Sequence, residues 1–272
     1  MVVDFHSHIY PEKIAAKAVV STEAFYTIPA RGRGTPEDLA AAGRKGGIDR
    51  FVVFSAAAVP AQVVTINSYI ASVCAVRENT GRAGADKAGG PAFTGFGTLH
   101  PDMENPGGEI ERIVGLGLRG IKFHPDMQKF NIDDERMMKI YALLEGNLPV
   151  IFHTGDYRYT YSHPARLAPV LDAFPRLTVI AAHFGGWSLF DLALEYFRER
   201  RCYFDISSSI PYLGRRRAEE LIRIYGAERM LFGSDYPIWD PGECLKEFLE
   251  LKLSSAEQER ILSGTALEIL DN

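Results

Sequence analysis

The chain has 272 residues, of which 46% are hydrophobic and 24% charged, and its net charge is −5. This composition is typical of a globular protein and excludes collagen-like, coiled-coil and disordered chains. With a pI near 5.8 the chain has no bulk attraction to nucleic acid or to anionic membranes, so we expect neither as a partner. The three cysteines are widely spaced, which favours a reducing compartment over a disulfide framework. The N-terminus does not resemble a signal peptide, and no apolar run is long enough to span a bilayer. The sequence therefore predicts a cytoplasmic protein.

Eight short apolar runs, rich in Val, Ile and Phe, alternate with helix-like segments along the chain. The predicted strands are Val2–His8, Arg50–Ser55, Ala92–Leu99, Arg119–His124, Leu148–His153, Leu177–His183, Cys202–Ser208 and Arg229–Asp235. The last six begin 25 to 29 residues apart, which is the length of one strand–helix unit. Helices are predicted over Asp133–Gly146, Pro164–Phe174, Ser188–Arg200 and Gly214–Gly226. The alternation predicts an α/β fold, a single (β/α)₈ TIM barrel over residues 1–272.

The first two connections between strands are longer than the others. Their strand starts lie 48 and 42 residues apart, so extra material follows the first two strands. Two segments there, Ala24–Gly34 and the glycine-rich Gly81–Pro91, are predicted to be loops.

The histidines of the chain lie at or just after the predicted strand ends. They are His6, His8, His100, His124, His153 and His183 at strand ends, and His163 in the loop after the fifth strand. In a TIM barrel this end of the strands carries the active site. His6 and His8 are two residues apart, so both imidazoles project from the same face of a strand. With His153, His183 and Asp235 from other strands they suit Zn²⁺ or a similar divalent ion with an open position for water.

Five motifs make the sequence similar to the amidohydrolase superfamily, most closely to its amidohydrolase-related (amidohydrolase-2) branch. They are Asp4-Phe5-His6-Ser7-His8-Ile9-Tyr10-Pro11, Gly120-Ile121-Lys122-Phe123-His124-Pro125, Phe152-His153-Thr154-Gly155, Ala182-His183-Phe184-Gly185-Gly186 and Leu231-Phe232-Gly233-Ser234-Asp235-Tyr236-Pro237. They occur in the family's order and span nearly the whole chain. The chain carries no flanking β-sandwich segments, which is typical of the compact, barrel-only members. The resembled branch contains both hydrolases and non-oxidative decarboxylases.

The resemblance implies roles for the residues that match these motifs. His6, His8 and His153 would bind the metal, and Asp235 would be both a ligand and the proton carrier. His183 would be a ligand of a second metal in two-metal members, or a catalytic acid/base in one-metal members. The expected ion is Zn²⁺, with Mn²⁺ as the alternative and one or two ions per chain. For Asp235, a structural role in capping a turn is the other interpretation.

Four further residues are candidates for substrate binding. Lys122 and His124 share strand parity, so both can face the barrel interior. The lysine at this place is carboxylated and bridges the metals in two-metal relatives; the alternative is that Lys122 binds a substrate carboxylate or pairs with an acid. His124 is either a substrate contact or a polar strand end. Tyr157 and Arg158 belong to a tyrosine-rich loop that predicts a substrate-binding lip, where Arg158 either clamps a carboxylate or stacks on tyrosines at the surface.

Three functions are compatible with these residues. The leading hypothesis is a metal-dependent hydrolase that cleaves an amide, ester or lactone bond of a small carboxylate-bearing compound with metal-activated water. The second is a metal-dependent, non-oxidative decarboxylase of an aromatic or dienoic carboxylic acid. The third is a non-catalytic barrel that retains its metal site. We expect a small-molecule substrate, and family habit indicates a homodimer.

Overall fold

Parallel strands alternate with helices throughout the computed structural model, which describes residues 1–78 and 90–271. The described strands are β1 (Val3–His8), β2 (Arg50–Phe54), β3 (Ala92–Gly95), β4 (Ile121–Phe123), β5 (Val150–Phe152), β6 (Val179–Ala181), β7 (Tyr203–Asp205) and β8 (Met230–Leu231). Each of them lies within one of the eight predicted apolar runs, so the predicted order of the strands is confirmed.

Helices follow the strands and cover their outer faces. They are α1 (Glu12–Tyr26), α2 (Pro36–Gly46), α3 (Val63–Glu78), α4 (Pro106–Gly115), α5 (Pro125–Gln128), α6 (Glu135–Leu144), α7 (Pro164–Ala173), α8 (Phe190–Phe197), α9 (Ile210–Leu213), α10 (Arg215–Tyr225), α11 (Pro241–Leu249), α12 (Ser255–Glu259) and α13 (Thr265–Asp271). The four predicted helices correspond to α6, α7, α8 and α10. None of the described helices combines the length and the apolar character that crossing a bilayer requires.

Of the two predicted loops, one can be compared with the structure. The predicted loop Ala24–Gly34 is wrong at its start, because α1 continues to Tyr26 before Thr27 ends the helix in a left-handed conformation with φ 58°. Residues 79–89, which hold most of the predicted loop Gly81–Pro91, lie outside the described residues.

Hydrogen bonds between two sheets close the barrel. One sheet has the order β1-β2-β3 and the other the order β4-β5-β6-β7-β8, all parallel. At one junction the Lys122 amide donates to the Gly97 carbonyl at 2.8 Å. At the other, the Phe5 amide donates to the Phe232 carbonyl, also at 2.8 Å. Because both edges of each sheet are bonded in this way, the chain forms the predicted (β/α)₈ TIM barrel.

Two apolar layers fill the molecule, one between strands and helices and one inside the barrel. The inner cluster consists of Val3, Phe5, Val52, Phe54, Phe96, Ile151, Ile180, Ala182, Leu231, Ala266, Ile269 and Leu270. Its last three members belong to α13, and the carbonyl of Leu270 accepts a hydrogen bond from Arg119, which precedes β4. α13 therefore covers the N-terminal end of the barrel, and polar side chains are left to the C-terminal end.

An irregularity in β1 turns two histidines into the barrel. The pairing of β1 with β2 shifts register between Asp4 and Ser7. In a regular strand, neighbours such as Phe5 and His6 face opposite sides. A bulge allows Phe5 to remain in the inner cluster while His6 and His8 both project into the barrel above it. The buried Asp4 carboxylate accepts a hydrogen bond from the His6 amide at 3.1 Å and so supports this turn of the backbone.

Candidate metal and active site

Five imidazole rings form a continuous row across the C-terminal mouth of the barrel. Successive ring centroids lie 5.4 Å apart for His8 and His6, 5.0 Å for His6 and His183, 4.9 Å for His183 and His153, and 4.2 Å for His153 and His124. The last two rings are stacked, with an interplanar angle of 7°. The structure thus brings together histidines that the sequence places at the ends of β1, β4, β5 and β6.

Asp235 faces the first two histidines of this row. Its Oδ1 lies 3.4 Å from His6 Nε2 and 3.5 Å from His8 Nε2. One ligand atom from each of these residues lies within 4.8 Å of the others. Asp235 reaches this position from a left-handed backbone conformation (φ 63°), in which its amide donates to the His6 carbonyl at 2.8 Å. Strained backbone of this kind is concentrated at functional sites.

A second carboxylate, that of Asp205 at the end of β7, fixes the His6 ring. His6 Nδ1 lies 2.8 Å from Asp205 Oδ2 and donates its hydrogen to it, which leaves the Nε2 lone pair directed at the site. The other oxygen, Oδ1, accepts the backbone amide of His183 at 3.1 Å. The sequence analysis missed Asp205; the signal available was an acidic residue inside the apolar run Cys202–Ser208.

His183 belongs to a group with His6 and Asp205, whose ligand atoms lie within 4.8 Å of one another. Its Nδ1 lies 3.0 Å from the Ser207 carbonyl oxygen. Because a carbonyl only accepts, His183 carries its proton on Nδ1 and turns the Nε2 lone pair toward His153 Nδ1, 3.1 Å away.

His153 lies beside two acidic side chains that the sequence analysis did not single out. It forms a third group with Asp126 and Asp156, whose atoms also lie within 4.8 Å of one another. Its Nε2 is buried without a hydrogen-bond partner, and the nearest acidic oxygen, Asp126 Oδ2, is 3.6 Å away. The structure therefore joins His153 to the other predicted ligands through His183, rather than by placing it in the group of His6, His8 and Asp235.

Lys122 lies below the histidine row as a fully buried cation. Its Nζ is 3.1 Å from His6 Nε2 and 4.9 Å from the centroid of the Phe54 ring. Burial lowers the pKa of Lys122 to about 8, against the opposing effect of Asp205 and Asp235. None of the described carboxylates forms an ion pair with Nζ. The site thus contains a cation that lacks an anionic partner.

Burial sets the charge states of the site. It lowers the pKa of His6 to about 4, and it lowers the pKa values of His124 and His153 well below their usual range. Burial alone would raise the pKa of Asp235, but His6, His8 and other neighbouring imidazoles hold it below its ordinary value. His6, His124 and His153 are therefore neutral beside an ionised Asp235, which is the protonation state that metal ligands require.

An enclosed cavity of about 60 Å³ opens onto these groups. The histidine row and Asp235 form its floor, and its walls include Tyr10, Tyr26, Met127 and Ile238. The walls are aromatic and apolar whereas the floor is polar, so a ligand bound here would direct its polar group at the floor.

The remaining substrate-binding candidates lie beside the cavity or away from it. The Arg158 guanidinium forms a bidentate pair with Asp156, with Nε–Oδ1 2.9 Å and Nη2–Oδ2 2.6 Å, and also donates to the Phe25 carbonyl. It stacks near the rings of Phe25 and Tyr159, at 5.0 and 5.4 Å from their centroids. The Tyr157 side chain is 73% exposed. Lys122 and His124 therefore lie at the site, Arg158 supports its wall, and Tyr157 points to solvent.

The sequence profile of the amidohydrolase family (Amidohydro_2) matches residues 3–271. The chain belongs to the amidohydrolase family. No curated protein resembles its sequence closely enough to count as a match.

Solved structures with the same fold cover this amidohydrolase almost completely. An uncharacterised TIM-barrel protein from Bordetella bronchiseptica has a TM-score of 0.78 at 21% identity, covering 99% of this chain and 98% of that one. The 5-carboxyvanillate decarboxylase of Sphingomonas paucimobilis has a TM-score of 0.73 at 18% identity, with coverages of 99% and 98%. A dihydroxybenzoic acid decarboxylase from Polaromonas, solved with bound manganese, has 0.72 at 16%, with coverages of 99% and 96%. At these identities the likeness shows the TIM-barrel fold.

The residues of this amidohydrolase fit a divalent metal ion. Nitrogen and carboxylate oxygen donors converge from different strands, the His6 tautomer is set by Asp205, and His153 keeps a buried nitrogen without a partner. Imidazole and carboxylate donors of this kind bind Zn²⁺, and such sites also accept other first-row divalent ions.

Proposed function

We propose that this amidohydrolase is a metal-dependent, non-oxidative decarboxylase of a small aromatic or dienoic carboxylic acid. The residues that would hold the ion, Zn²⁺ or Mn²⁺, are His6, His8 and Asp235, which form one group, with His153 as the further ligand that the family resemblance implies. When bound, the ion would supply Lewis-acid chemistry, polarising the substrate oxygens. Two of the compared structures are described as decarboxylases of 5-carboxyvanillate and of dihydroxybenzoic acid, which supports this reaction class.

The buried Lys122 is the observation that carries the proposal. An unpaired cation in the interior costs free energy, and a divalent ion beside it would add to the positive charge. A substrate carboxylate would offset part of this positive charge. Lys122 Nζ lies 3.1 Å from His6 Nε2, and His6 lines the floor of the cavity, so the carboxylate is expected to bind beside His6, with the rest of the substrate against the aromatic walls.

Loss of CO₂ from such a complex requires a group on the protein that supplies a proton to the substrate carbon. The carbon–carbon bond breaks, CO₂ leaves, and its electron pair stays on the substrate carbon, which must then take up a proton. Asp235 and His183 both line the cavity, and we expect Asp235 to carry that proton to the carbon, with His183 as the alternative. The apolar walls keep bulk water from the substrate.

The proposal is tested by following both products of the reaction. Protein loaded with Zn²⁺ or Mn²⁺ is incubated with benzoic and dienoic acids in D₂O, and CO₂ and deuterium at the product carbon are measured. One CO₂ and one deuterium per product are expected, and Asp235→Asn should lose at least about 100-fold in kcat. Carboxylate-bearing amides, esters and lactones are offered in parallel, and their cleavage with ¹⁸O taken up from labelled water and no CO₂ would instead show hydrolysis.

Hydrolysis of an amide, ester or lactone is the second candidate, and one observation favours it. His183 and His153 follow His6 in the histidine row, with His183 Nε2 3.1 Å from His153 Nδ1, so nitrogen donors for a second ion lie beside the group of His6, His8 and Asp235. Lys122 lies beside His6, where a carboxylated lysine would complete such a pair. Two metal equivalents per chain that depend on bicarbonate would support this candidate, whereas one equivalent would support the decarboxylase.

A further inference from the structure

Tyr26 brings a hydroxyl group to the cavity from α1, an element outside the barrel strands. Its ring contacts Trp187 and His153, with centroid distances of 5.3 and 5.9 Å. Its hydroxyl oxygen lies 2.6 Å from His124 Nε2. In the described part of the chain, this is the hydrogen bond that the Tyr26 side chain makes. Which of the two groups donates decides what Tyr26 can do.

The other nitrogen of His124 settles the direction of this bond. His124 caps α5, and its Nδ1 accepts the backbone N–H of Met127 at 3.3 Å. A nitrogen that accepts an amide hydrogen has a free lone pair and carries no proton. The proton of the imidazole is therefore on Nε2, and His124 donates it to the Tyr26 oxygen.

The hydrogen of the Tyr26 hydroxyl is then free to be donated elsewhere. Tyr26 lines the cavity together with the histidine row, so the acceptor lies in that cavity. Resting on the proposed function, we infer that Tyr26 donates this hydrogen to an oxygen of the bound substrate, and that His124 is the positioning residue that directs it.

The position of Tyr26 along the histidine row indicates which oxygen it contacts. Lys122 Nζ contacts His6, whereas the Tyr26 hydroxyl contacts His124, and the rings of His183 and His153 lie between those two histidines in the row. A carboxylate that binds beside His6 therefore leaves Tyr26 to a different oxygen of the substrate. The arrangement favours a carboxylic acid that carries a second oxygen, such as a ring hydroxyl.

The direction of the hydrogen bond is tested without any substrate. ¹⁵N NMR of the histidine side chains in the Zn²⁺-loaded protein reports which nitrogen is protonated, and the His124 signals are assigned by their loss in His124→Asn. We expect a protonated Nε2 and an unprotonated Nδ1. The opposite tautomer would overturn the inference and leave the proposed decarboxylation intact.

Binding measurements test the contact itself. Calorimetry on Zn²⁺-loaded protein compares 2-hydroxybenzoate with benzoate for the wild type and for Tyr26→Phe. We expect the variant to bind 2-hydroxybenzoate about tenfold more weakly and benzoate less than about twofold more weakly. Tyr141→Phe is the matched control, because it also removes a buried hydroxyl, bonded to the Ile132 carbonyl at 2.9 Å, but outside the cavity.

The outcomes of this measurement separate the two claims. If Tyr26→Phe binds both acids as tightly as the wild type, the role of Tyr26 is overturned while the decarboxylase proposal stands. If Tyr141→Phe loses as much affinity as Tyr26→Phe, the effect is structural and the inference is again overturned. A wild-type protein that binds neither acid and releases no CO₂ overturns the proposed function, together with the substrate preference drawn from it.

Discussion

Asp205 controls the orientation of His6 by accepting at both of its oxygens. One oxygen accepts a hydrogen bond from His6 Nδ1, and the other accepts hydrogen bonds from the backbone amides of His183 and Ser207, each at 3.1 Å. In Asp205→Asn one end must present an NH₂ group to a donor, so at least one of these bonds is lost. We expect metal affinity to fall about 10- to 100-fold, measured by competition with a chromophoric chelator.

Asp172→Asn is the control for this change. Asp172 is an exposed aspartate paired with Arg200, with Nε–Oδ1 2.8 Å, far from the site. Its replacement should leave metal affinity unchanged. An Asp205→Asn protein that binds metal as tightly as Asp172→Asn would show that His6 does not depend on this carboxylate.

Lys122 is predicted to contribute to substrate binding at a cost to stability. Replacing the buried cation by Met in Lys122→Met removes an unpaired charge and keeps most of the volume, so the free energy of unfolding should stay equal or rise. KM for the carboxylic acid should rise about 10- to 100-fold, because hydrogen bonds to charged groups contribute about 1.5 to 3 kcal/mol. Denaturant unfolding and initial rates of CO₂ release measure the two effects.

The same variant distinguishes the two roles considered for Lys122. A lysine that only binds the substrate can be replaced without changing the number of metal ions per chain. If Lys122→Met reduces the metal content from two equivalents to one, the lysine bridges metals, and its role as a carboxylate anchor is wrong.

Sequence reasoning was most effective where the site depends on local spacing. His6 and His8 are predicted from their spacing of two and Asp235 from its place at the end of the last apolar run, and the structure brings these three side chains together. Asp205 is different, because its partner His6 is 199 residues away in the chain. Its side chain is one acidic residue among many until the barrel places β7 near β1. Contacts of this kind are visible only after the fold is known.

Arg158 anchors the C-terminal end of α1 over the cavity. Its guanidinium donates to the Phe25 carbonyl and lies 5.7 Å from the centroid of the Tyr26 ring. Arg158→Ala should release this end of the helix. We expect faster hydrogen exchange over residues 24–30 and a KM about fivefold higher, as for a closed state populated about one-fifth of the time. Exchange mass spectrometry and steady-state rates measure these changes.

Arg136→Ala is a matched control, because Arg136 and Asp134 repeat the same pair two residues apart. Nε–Oδ1 is 2.9 Å and Nη2–Oδ2 is 2.6 Å, as for Arg158 and Asp156, but the pair lies at the start of α6. Its removal should leave residues 24–30 and KM unchanged. Equal effects of the two variants would mean that Arg158 does not hold α1 in place.

The apolar pattern predicts the positions of the strands but not how the backbone turns at their ends. The predicted strand Arg229–Asp235 has only two residues in the ladder, Met230 and Leu231. Asp235 leaves the strand with φ 63°, as His183 does after β6 with φ 58°. A hydropathy pattern does not encode such turns. The same limit explains α1, whose last turn brings Tyr26 to the cavity from a segment predicted to be a loop.

At the scale of the whole molecule, the candidate ligands connect the two sheets of the barrel. His6 and His8 belong to β1 in one sheet, whereas His153, His183 and Asp235 follow strands of the other. An ion bound by ligands from both sheets would link the sheets in the folded state. In the unfolded chain these ligands are not held close together. Binding should therefore stabilise the entire barrel.

This linkage predicts how the unfolding temperature responds to metal. With free Zn²⁺ at about 100 times its Kd, the folded state gains about 2.7 kcal/mol. For a chain of this size, Tm should rise by about 5 to 10 °C, measured by calorimetry before and after chelation. His6→Ala should abolish the shift. His163→Ala, which removes a histidine that caps α7 away from the site, should lower Tm slightly through loss of the cap but keep the metal-dependent rise. A rise of the same size in both variants would show that Zn²⁺ stabilises the protein from somewhere other than the barrel mouth.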